Sequence, residues 1–482
     1  MKYAISLLLL LSSFSLCAED KAFAPQTSEL FVDLTHPKVL YANHASLALI
    51  PASVTKLFVA ASALKQWGSY HTFASDIYQR GQWKQGVLIG DLVFYGQGDP
   101  AFTNEKMWQL VNNLQQLGLK KITGNLVVNT SYLGNITVSA SDRIAAKHAS
   151  KVSYDSLPTS AGSNFSTVGV AIMPGEKAGD LAQIKILPYQ LQNVRLDGNV
   201  ITASGKNNTL QLHRLSQEGK EILTLSGTIG LKSAPVILYR SVGNPNRLTG
   251  ALLKAFLKQA GISLDGKIII ETTPLKKTDK QLAQVQSDSL IHCLQDMLRY
   301  SNNYIADVLT LDLQKENHTS LSSMKLSEAA KVLLATYKRV LHQSKFAKPE
   351  DIDPIFASGS GLTPSNRISA SNLITLLAGM YHDQRDFSLF YGSLVVPGQQ
   401  THWHNLPTIN HPWMNQVSLK TGYITVPKIV HSLAGYFRMQ NGDIGAFAVL
   451  FNFPPEAQND EGQLFNGLIK HLDSVFHHLA QV

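Results

Sequence analysis

Cysteine is nearly absent from this chain of 482 residues, which contains only Cys17 and Cys293. Two cysteines cannot build a cysteine-rich zinc site or a disulfide framework, so stability has to come from a large hydrophobic core. Charged residues are also scarce, at 16% against the roughly 25% of average globular proteins, while hydrophobic residues reach 44%. This balance excludes a disordered polyelectrolyte and favours a folded protein of about three domains, at roughly 150 residues each.

Runs of positive charge are missing as well, although 42 Lys and Arg outnumber 34 Asp and Glu and give a formal charge of +8. No stretch has five or more consecutive basic residues, so we expect no nucleic-acid partner. The thinly spread positive charge suits a polyanionic matrix and leaves peripheral membrane association open. Beyond the N-terminus, no segment has 18 consecutive apolar residues, so none is expected to span a bilayer.

The N-terminus has the pattern of an export signal. Lys2 precedes an apolar segment over 4–16, which is short for a membrane span, and Ala18 offers a cleavage point. The pattern predicts a signal peptide over 1–18 and a mature protein in the periplasm. A lipoprotein acylated at Cys17 is the alternative, disfavoured because the residue before it is larger than the small one expected there.

Periodic segments along the chain predict an α/β (α+β) protein. Strands near both chain ends, including a hairpin turning at Asn441-Gly442, resemble pieces of one antiparallel sheet with helices packed on it. The middle of the chain then forms an insertion of mixed strands and helices, and within it lies a stretch of short alternating segments typical of an all-β unit. The predicted domains are 19–82 with 284–482, 83–173 with 241–283 as the insertion, and 174–240 as a nested β domain.

Ser53-Val54-Thr55-Lys56 is an S-x-x-K sequence at the start of a predicted helix. Residues three apart share a helix face, so Lys56 can touch the Ser53 hydroxyl. A serine needs a base to take its proton before it becomes a good nucleophile, and a desolvated lysine can have a low enough pKa to do this. The motif alone also fits an N-cap serine beside an exposed lysine.

Two further motifs are individually as ambiguous. Ser301-Asn302-Asn303 lies between predicted helices, where a hydroxyl and a carboxamide can both face a cleft, although an N-cap fits equally well. Lys420-Thr421-Gly422 lies in a predicted strand, where a cation and a hydroxyl can hold a carboxylate and the glycine allows close backbone approach. An edge-strand lysine is the alternative for the latter.

The three motifs together are the signature of β-lactamases and penicillin-binding proteins, and they occur here in the expected order and elements. The long gap between the first two motifs exceeds that of simple β-lactamases and matches the insertion. The chain resembles the class C low-molecular-mass penicillin-binding proteins, the D-alanyl-D-alanine carboxypeptidase/endopeptidases. Further segments carry this resemblance over nearly the whole mature chain: PASVTKLFVAASAL, LVFYGQGDPAFT, SYDSLP, NPNRLTGALLKAFLKQAGI, SGSGLTPSNRISA, YGSLVVPG and KTGYITVPKIVHSLAGYF.

The resemblance implies a transpeptidase-like catalytic domain made from both chain ends, with an insertion and a nested small β domain. It implies that Ser53 is the nucleophile and Lys56 its base. Ser301 would relay a proton to the leaving amine, and Asn303 would bind the substrate. Lys420 would hold Ser301 and, with the next residue, the terminal carboxylate of the substrate.

It also implies three substrate-binding elements. Thr421 would share the terminal carboxylate with the lysine before it, and the backbone N–H groups of Ser53 and Tyr423 would form the oxyanion hole beside Gly422. Asp155 would bind the free amine of a diaminopimelate side chain, and a loop-capping carboxylate is the alternative for this residue.

Two positions depart from the family pattern. Tyr423 stands where a threonine or serine usually helps to hold the carboxylate, and Ser358 stands where an aspartate usually opens the glycine-rich segment. We therefore expect a preference shifted from terminal D-Ala towards internal D-amino-acid bonds.

The sequence thus predicts a periplasmic serine-type D-Ala-D-Ala carboxypeptidase and DD-endopeptidase that acts on peptidoglycan stem peptides and is acylated by β-lactams. No cofactor or metal is expected, since His402 and His404 have no nearby acids and fit a loop surface. The alternatives are a serine β-lactamase and a non-catalytic cell-wall or β-lactam-binding protein. The sequence does not indicate an oligomeric state.

Overall fold

The computed structural model describes residues 25–139, 141–316, 323–342, 344–348, 351–398, 411–459 and 461–480. The predicted signal peptide, Cys17, and the histidines at 402 and 404 lie outside these ranges. Within them, no helix combines the length and apolar character that a membrane crossing requires.

The helices of the described residues, numbered along the chain, are α1 (Lys56–Trp67), α2 (Asn104–Gln116), α3 (Ser141–Ala146), α4 (Pro245–Gln259), α5 (Leu290–Arg299), α6 (Asn303–Glu316), α7 (Leu326–Ala329), α8 (Val332–Leu341), α9 (Ala370–Tyr381), α10 (Phe387–Gly392) and α11 (Glu461–Leu479). The strands are β1 (Gln26–Asp33), β2 (Lys38–Asn43), β3 (Ala74–Lys84), β4 (Val87–Gly96), β5 (Lys121–Ile122), β6 (Leu126–Asn129), β7 (Asn135–Thr137), β8 (Ala149–Ser150), β9 (Thr167–Met173), β10 (Gln183–Leu187), β11 (Val194–Asp197), β12 (Ile201–Ala203), β13 (Gln211–Gln217), β14 (Lys220–Ser226), β15 (Thr228–Gly230), β16 (Val236–Ser241), β17 (Ser263–Leu264), β18 (Ile268–Glu271), β19 (Lys280–Gln286), β20 (Ser323–Lys325), β21 (Val417–Ile424), β22 (Val430–Arg438) and β23 (Ile444–Asn452).

Both chain ends contribute to one antiparallel sheet of order β2-β1-β23-β22-β21, as the strand patterns predicted. The hairpin between β22 and β23 turns at Asn441-Gly442, and Gly442 has φ +91°, a left-handed conformation that glycine adopts without strain. The alternation of side chains along the strands gives this sheet two apolar faces. One face packs on α1 and α9, and the other packs on α11, so the predicted antiparallel sheet flanked by helices is confirmed.

The insertion is built on a second sheet of order β17-β5-β4-β3-β19. Strand β6 pairs with β4 on the same edge as β5, and β18 pairs with β6. α2 and α4 cover it with amphipathic faces. Because β3 and β19 both belong to this sheet, it begins at Ala74 and ends at Gln286, whereas the predicted boundaries fall at 83 and 283.

Residues 174–240 contain strands and no helix, in agreement with the pattern of short alternating segments. These strands are not self-contained, since β10 and β16 both pair with β9 and β13 pairs with β8. One continuous hydrophobic core joins side chains such as Leu212 and Leu223 to Phe94 and Leu252 of the surrounding insertion. The division into three domains therefore stays a prediction.

Candidate active site

Ser53 lies in a short 3-10 turn, Ala52–Thr55, that leads directly into α1. The helical spacing predicted a helix from Ser53, and the α-helix proper begins three residues later, at Lys56. The turn is stabilised locally, because the Thr55 hydroxyl donates to the Ala52 carbonyl at 2.8 Å. It is fastened to the sheet by Ser432 of β22, whose hydroxyl donates to the Pro51 carbonyl at 2.6 Å. Ser53 is therefore presented on a rigid element.

Lys56 is completely buried, and its side-chain nitrogen contacts three other residues of the site. Its Nζ lies 2.9 Å from Ser53 Oγ, 2.6 Å from Asn303 Oδ1 and 2.6 Å from the Ser360 carbonyl oxygen. Burial and then the nearby charge of Lys420 hold the pKa of Lys56 well below its ordinary value of 10.5. A lysine with a lowered pKa in contact with a serine hydroxyl is able to accept that hydroxyl's proton.

Ser301 and Asn303 come from the junction between α5 and α6. Ser301 has φ +52°, a left-handed conformation that is uncommon outside glycine and is often found at functional sites. Asn303 is the first residue of α6; its Oδ1 accepts from Lys56 and its Nδ2 donates to the Tyr154 carbonyl at 2.9 Å. The amide therefore links the buried lysine to a loop of the insertion.

Lys420 lies in β21 and has only 1% of its surface exposed. Its Nζ donates to Ser301 Oγ at 2.9 Å and to the Thr421 carbonyl at 2.7 Å. Burial lowers the pKa of Lys420 from 10.5 to about 7. The lysine can therefore hand a proton to Ser301 near neutral pH.

Gly422 is required at its position by sterics. A Cβ there would lie 2.2 Å from Ser432 Oγ and 2.8 Å from the backbone nitrogen of Ser53. Strand β21 therefore runs close against the turn that carries Ser53, which brings the Ser53 amide near the strand that carries Tyr423. The two backbone N–H groups expected to form the oxyanion hole are thus neighbours in space.

The three motifs line one cleft of about 1520 Å³, larger than the roughly 300–1,000 Å³ of common small-molecule pockets. Its walls come from both the catalytic sheet and the insertion. All nine residues predicted for the site lie in or directly behind this cleft: Ser53, Lys56, Ser301, Asn303, Lys420, Thr421, Gly422, Tyr423 and Asp155.

Asp155 and Tyr423 both line the cleft. Asp155 is 6% exposed, and its Oδ2 accepts from Ser150 Oγ at 2.8 Å. Burial raises the pKa of Asp155 above its ordinary value, against the opposing effects of neighbouring hydroxyls and arginines. The Tyr423 ring lies against the His431 ring, with centroids 5.0 Å apart. Tyr423 thus adds an aromatic surface to the cleft.

Sequence reasoning missed three residues that hold the buried lysine in place. Ser360 accepts from Lys56 through its carbonyl, and its own N–H donates to Asp307 Oδ1 at 2.8 Å. Asp307 pairs in turn with Arg143. Two signals were present in the sequence: Asp307 lies four residues after Asn303 and hence on the same face of α6, and Ser360 lies in the glycine-rich SGSGL segment.

One cluster of side chains in the described part of the chain has its polar atoms close together outside the cleft. Asp33, His36 and Asp443 lie close enough to share an ion, but none of them lines the cleft and His36 is largely exposed. Exposed groups of this kind are common without a metal.

Comparison with known proteins agrees with this geometry. Residues 15–470 match the D-Ala-D-Ala carboxypeptidase 3 (S13) family. The D-alanyl-D-alanine carboxypeptidase DacB of Haemophilus influenzae is 23% identical over 87% of this chain and 84% of its own length. A D-alanyl-D-alanine carboxypeptidase of Actinomadura sp. (strain R39) is 24% identical over 90% of this chain and 79% of its own.

Among solved structures, penicillin binding protein 4 (dacB) from H. influenzae matches with a TM-score of 0.70 at 22% identity, covering 93% of this chain and 97% of that one. The same protein complexed with a β-lactam gives a TM-score of 0.66 at 21% identity, with coverages of 92% and 96%. At such identities the likeness establishes the fold.

Proposed function

The chain belongs to the D-Ala-D-Ala carboxypeptidase 3 (S13) family, and from that premise we propose that its cleft hydrolyses D-Ala-D-Ala bonds through an acyl-enzyme on Ser53. The observation that carries this assignment is the contact between the Lys56 amine and the Ser53 hydroxyl, 2.9 Å apart at the floor of the cleft. The family membership makes the protein a serine-type peptidase. The individual roles below are our assignment.

Acylation begins with neutral Lys56, which takes the Ser53 proton as Oγ attacks the carbonyl carbon of the scissile bond. The N–H groups of Ser53 and Tyr423 donate to the oxyanion that forms. Lys420 supplies a proton through the Ser301 hydroxyl to the departing amine, and the C–N bond breaks. The products are an ester on Ser53 and a free D-amino acid or peptide amine.

Acylation leaves the Ser53 proton on Lys56 and removes one proton from Lys420, and a proton transfer from Lys56 to Lys420 through the Ser301 hydroxyl or solvent restores both lysines. Neutral Lys56 then takes a proton from a water molecule, which attacks the ester carbonyl. The Ser53 oxygen leaves and regains its proton, and the peptide departs with a new terminal carboxylate. β-Lactams acylate the same serine because their strained amide presents the same carbonyl.

The substrates we propose are peptidoglycan stem peptides, met after export to the periplasm. Two features support an endopeptidase activity beside the carboxypeptidase activity. The cleft of about 1520 Å³ has room for a branched, cross-linked peptide. Tyr423 replaces the small hydroxyl that would assist Thr421 in binding the carboxylate of a terminal D-Ala, so we propose a preference shifted towards internal D-amino-acid bonds.

Purified muropeptides test this proposal. We expect release of free D-Ala from pentapeptides and cleavage of cross-linked dimers, both abolished by Ser53→Ala. A fluorescent penicillin should form a long-lived ester with the wild-type protein. Rapid turnover of that ester without muropeptide hydrolysis would instead identify a β-lactamase.

A further inference from the structure

A buried ion pair lies directly behind the base. Arg143 of α3 and Asp307 of α6 are 1% and 0% exposed, and Arg143 Nη2 lies 2.5 Å from Asp307 Oδ2. Arg143 Nη1 also donates to the Ser156 carbonyl at 2.8 Å, next to Asp155. Removing two charges from water is costly, and such pairs often add little to stability. A role in the active site therefore explains a pair in this position better than a contribution to stability does.

The pair is connected to Lys56 through one backbone residue. Asp307 accepts from the Ser360 N–H, and the Ser360 carbonyl accepts from Lys56 Nζ at 2.6 Å. The carboxylate therefore fixes the segment that orients the base. Its negative charge has a second effect, because an anion near a lysine favours the protonated form, which is inactive as a base.

Arg143 opposes that effect. Three charged groups act on Lys56: Lys420 from β21 and Arg143 from α3 lower its pKa, and Asp307 from α6 raises it. Without the guanidinium, the charge of Asp307 would favour the protonated form of Lys56. With it, Asp307 can hold Ser360 while its charge is balanced.

We propose that Arg143 and Asp307 are positioning residues for acylation: Asp307 clamps Ser360 so that Lys56 is aimed at Ser53, and Arg143, supplied by the insertion, neutralises Asp307 so that Lys56 stays a free base. The insertion is thereby part of the catalytic apparatus as well as a wall of the cleft. This inference rests on the proposed role of Lys56.

The test is the pH dependence of acylation by a fluorescent penicillin, measured as a second-order rate constant from pH 5 to 10. The rising limb of this profile reports the base of the free enzyme. Arg143→Gln should move the limb to higher pH and Asp307→Asn to lower pH, each by at least about half a pH unit, or roughly threefold in rate on the limb. Because the folded fraction of a variant can itself change with pH, the concentration of active sites is measured at each pH from the final amount of bound label, and the rates are corrected for it.

Arg80→Gln is the matched control. Arg80 pairs with Glu271 and Asp279 in the sheet of the insertion and does not line the cleft, so its loss should lower thermal stability and leave the limb in place. Limbs that coincide with wild type in both Arg143→Gln and Asp307→Asn would overturn the proposal, as would movement in one direction for both.

If neither single variant folds, the double variant Arg143→Gln/Asp307→Asn decides, since it leaves no unpaired buried charge. It should keep the wild-type limb but reach a plateau at least about threefold lower, because a neutral amide holds Ser360 less strongly than a carboxylate does. An unchanged plateau would reduce the pair to a stabilising contact. Failure of the wild-type protein to label on Ser53 would instead refute the proposed function itself.

Discussion

Asp155→Asn distinguishes a substrate-binding carboxylate from a structural one. The side chain is 6% exposed on the cleft wall, so a charge pair with a substrate amine would form in a largely desolvated place. A charge-assisted hydrogen bond of this kind is worth about 1–3 kcal/mol. At about 1.4 kcal/mol per tenfold, this corresponds to a loss of roughly five- to 150-fold in kcat/KM for muropeptides that carry a free diaminopimelate amine.

The assay compares two reactions of the same variant. Cleavage of diaminopimelate-containing muropeptides should slow, whereas acylation by a simple penicillin, which lacks the amine, should hardly change. Asp296→Asn is a matched control, because Asp296 lines the same cleft but is exposed, where solvent screening makes a charge pair weak. Equal slowing of both reactions in Asp155→Asn would refute the reasoning, and would show that the contact with Ser150 merely holds the loop.

Four further outcomes are expected. Ser53→Ala should abolish covalent penicillin labelling, and mass spectrometry that placed the wild-type adduct on Ser301 would contradict our assignment. Gly422→Ala should reduce acylation at least about a hundredfold, as loss of an oxyanion donor does, because its Cβ would press against the Ser53 amide; a rate near wild type would mean that the strand moves freely. Tyr423→Thr should raise the ratio of carboxypeptidase to endopeptidase rates on muropeptides, and an unchanged ratio would remove Tyr423 from the specificity argument. Burial raises the pKa of Asp99 from 3.8 to about 7, so the stability conferred by its proton is present below about pH 4 and is lost as the pH rises through 7. Asp99→Asn should therefore gain thermal stability relative to wild type with rising pH, and a melting-temperature difference that is constant from pH 4 to 8 would contradict this.

Much of the catalytic domain was predictable because its determinants are local. Alternation of apolar residues indicated the terminal strands, Asn441-Gly442 indicated the hairpin, and the three motifs indicated where Ser53 and Lys420 would lie. The ratio of hydrophobic to charged residues likewise predicted a large hydrophobic core. Apart from the composition, each of these inferences needs only a few neighbouring residues.

Element boundaries and sheet membership were harder to predict from the sequence. β3 and β19 have ordinary strand patterns, and nothing in either one tells which sheet it joins. Their pairing places both strands in the second sheet, which therefore begins at Ala74. The strands of 174–240 similarly read as a unit, yet they share a core with the insertion because β9 pairs with strands from within that stretch.

The sequence by itself determined which chemistry the chain carries, since S-x-x-K, S-x-N and K-T-G bring their functional groups with them. Only the tertiary structure decided how the base is held. Arg143, Asp307 and Ser360 come from three separate segments, and no local pattern indicates that they meet behind the base. Their roles arise from burial, which makes charges costly unless they are balanced, and burial depends on how distant segments pack.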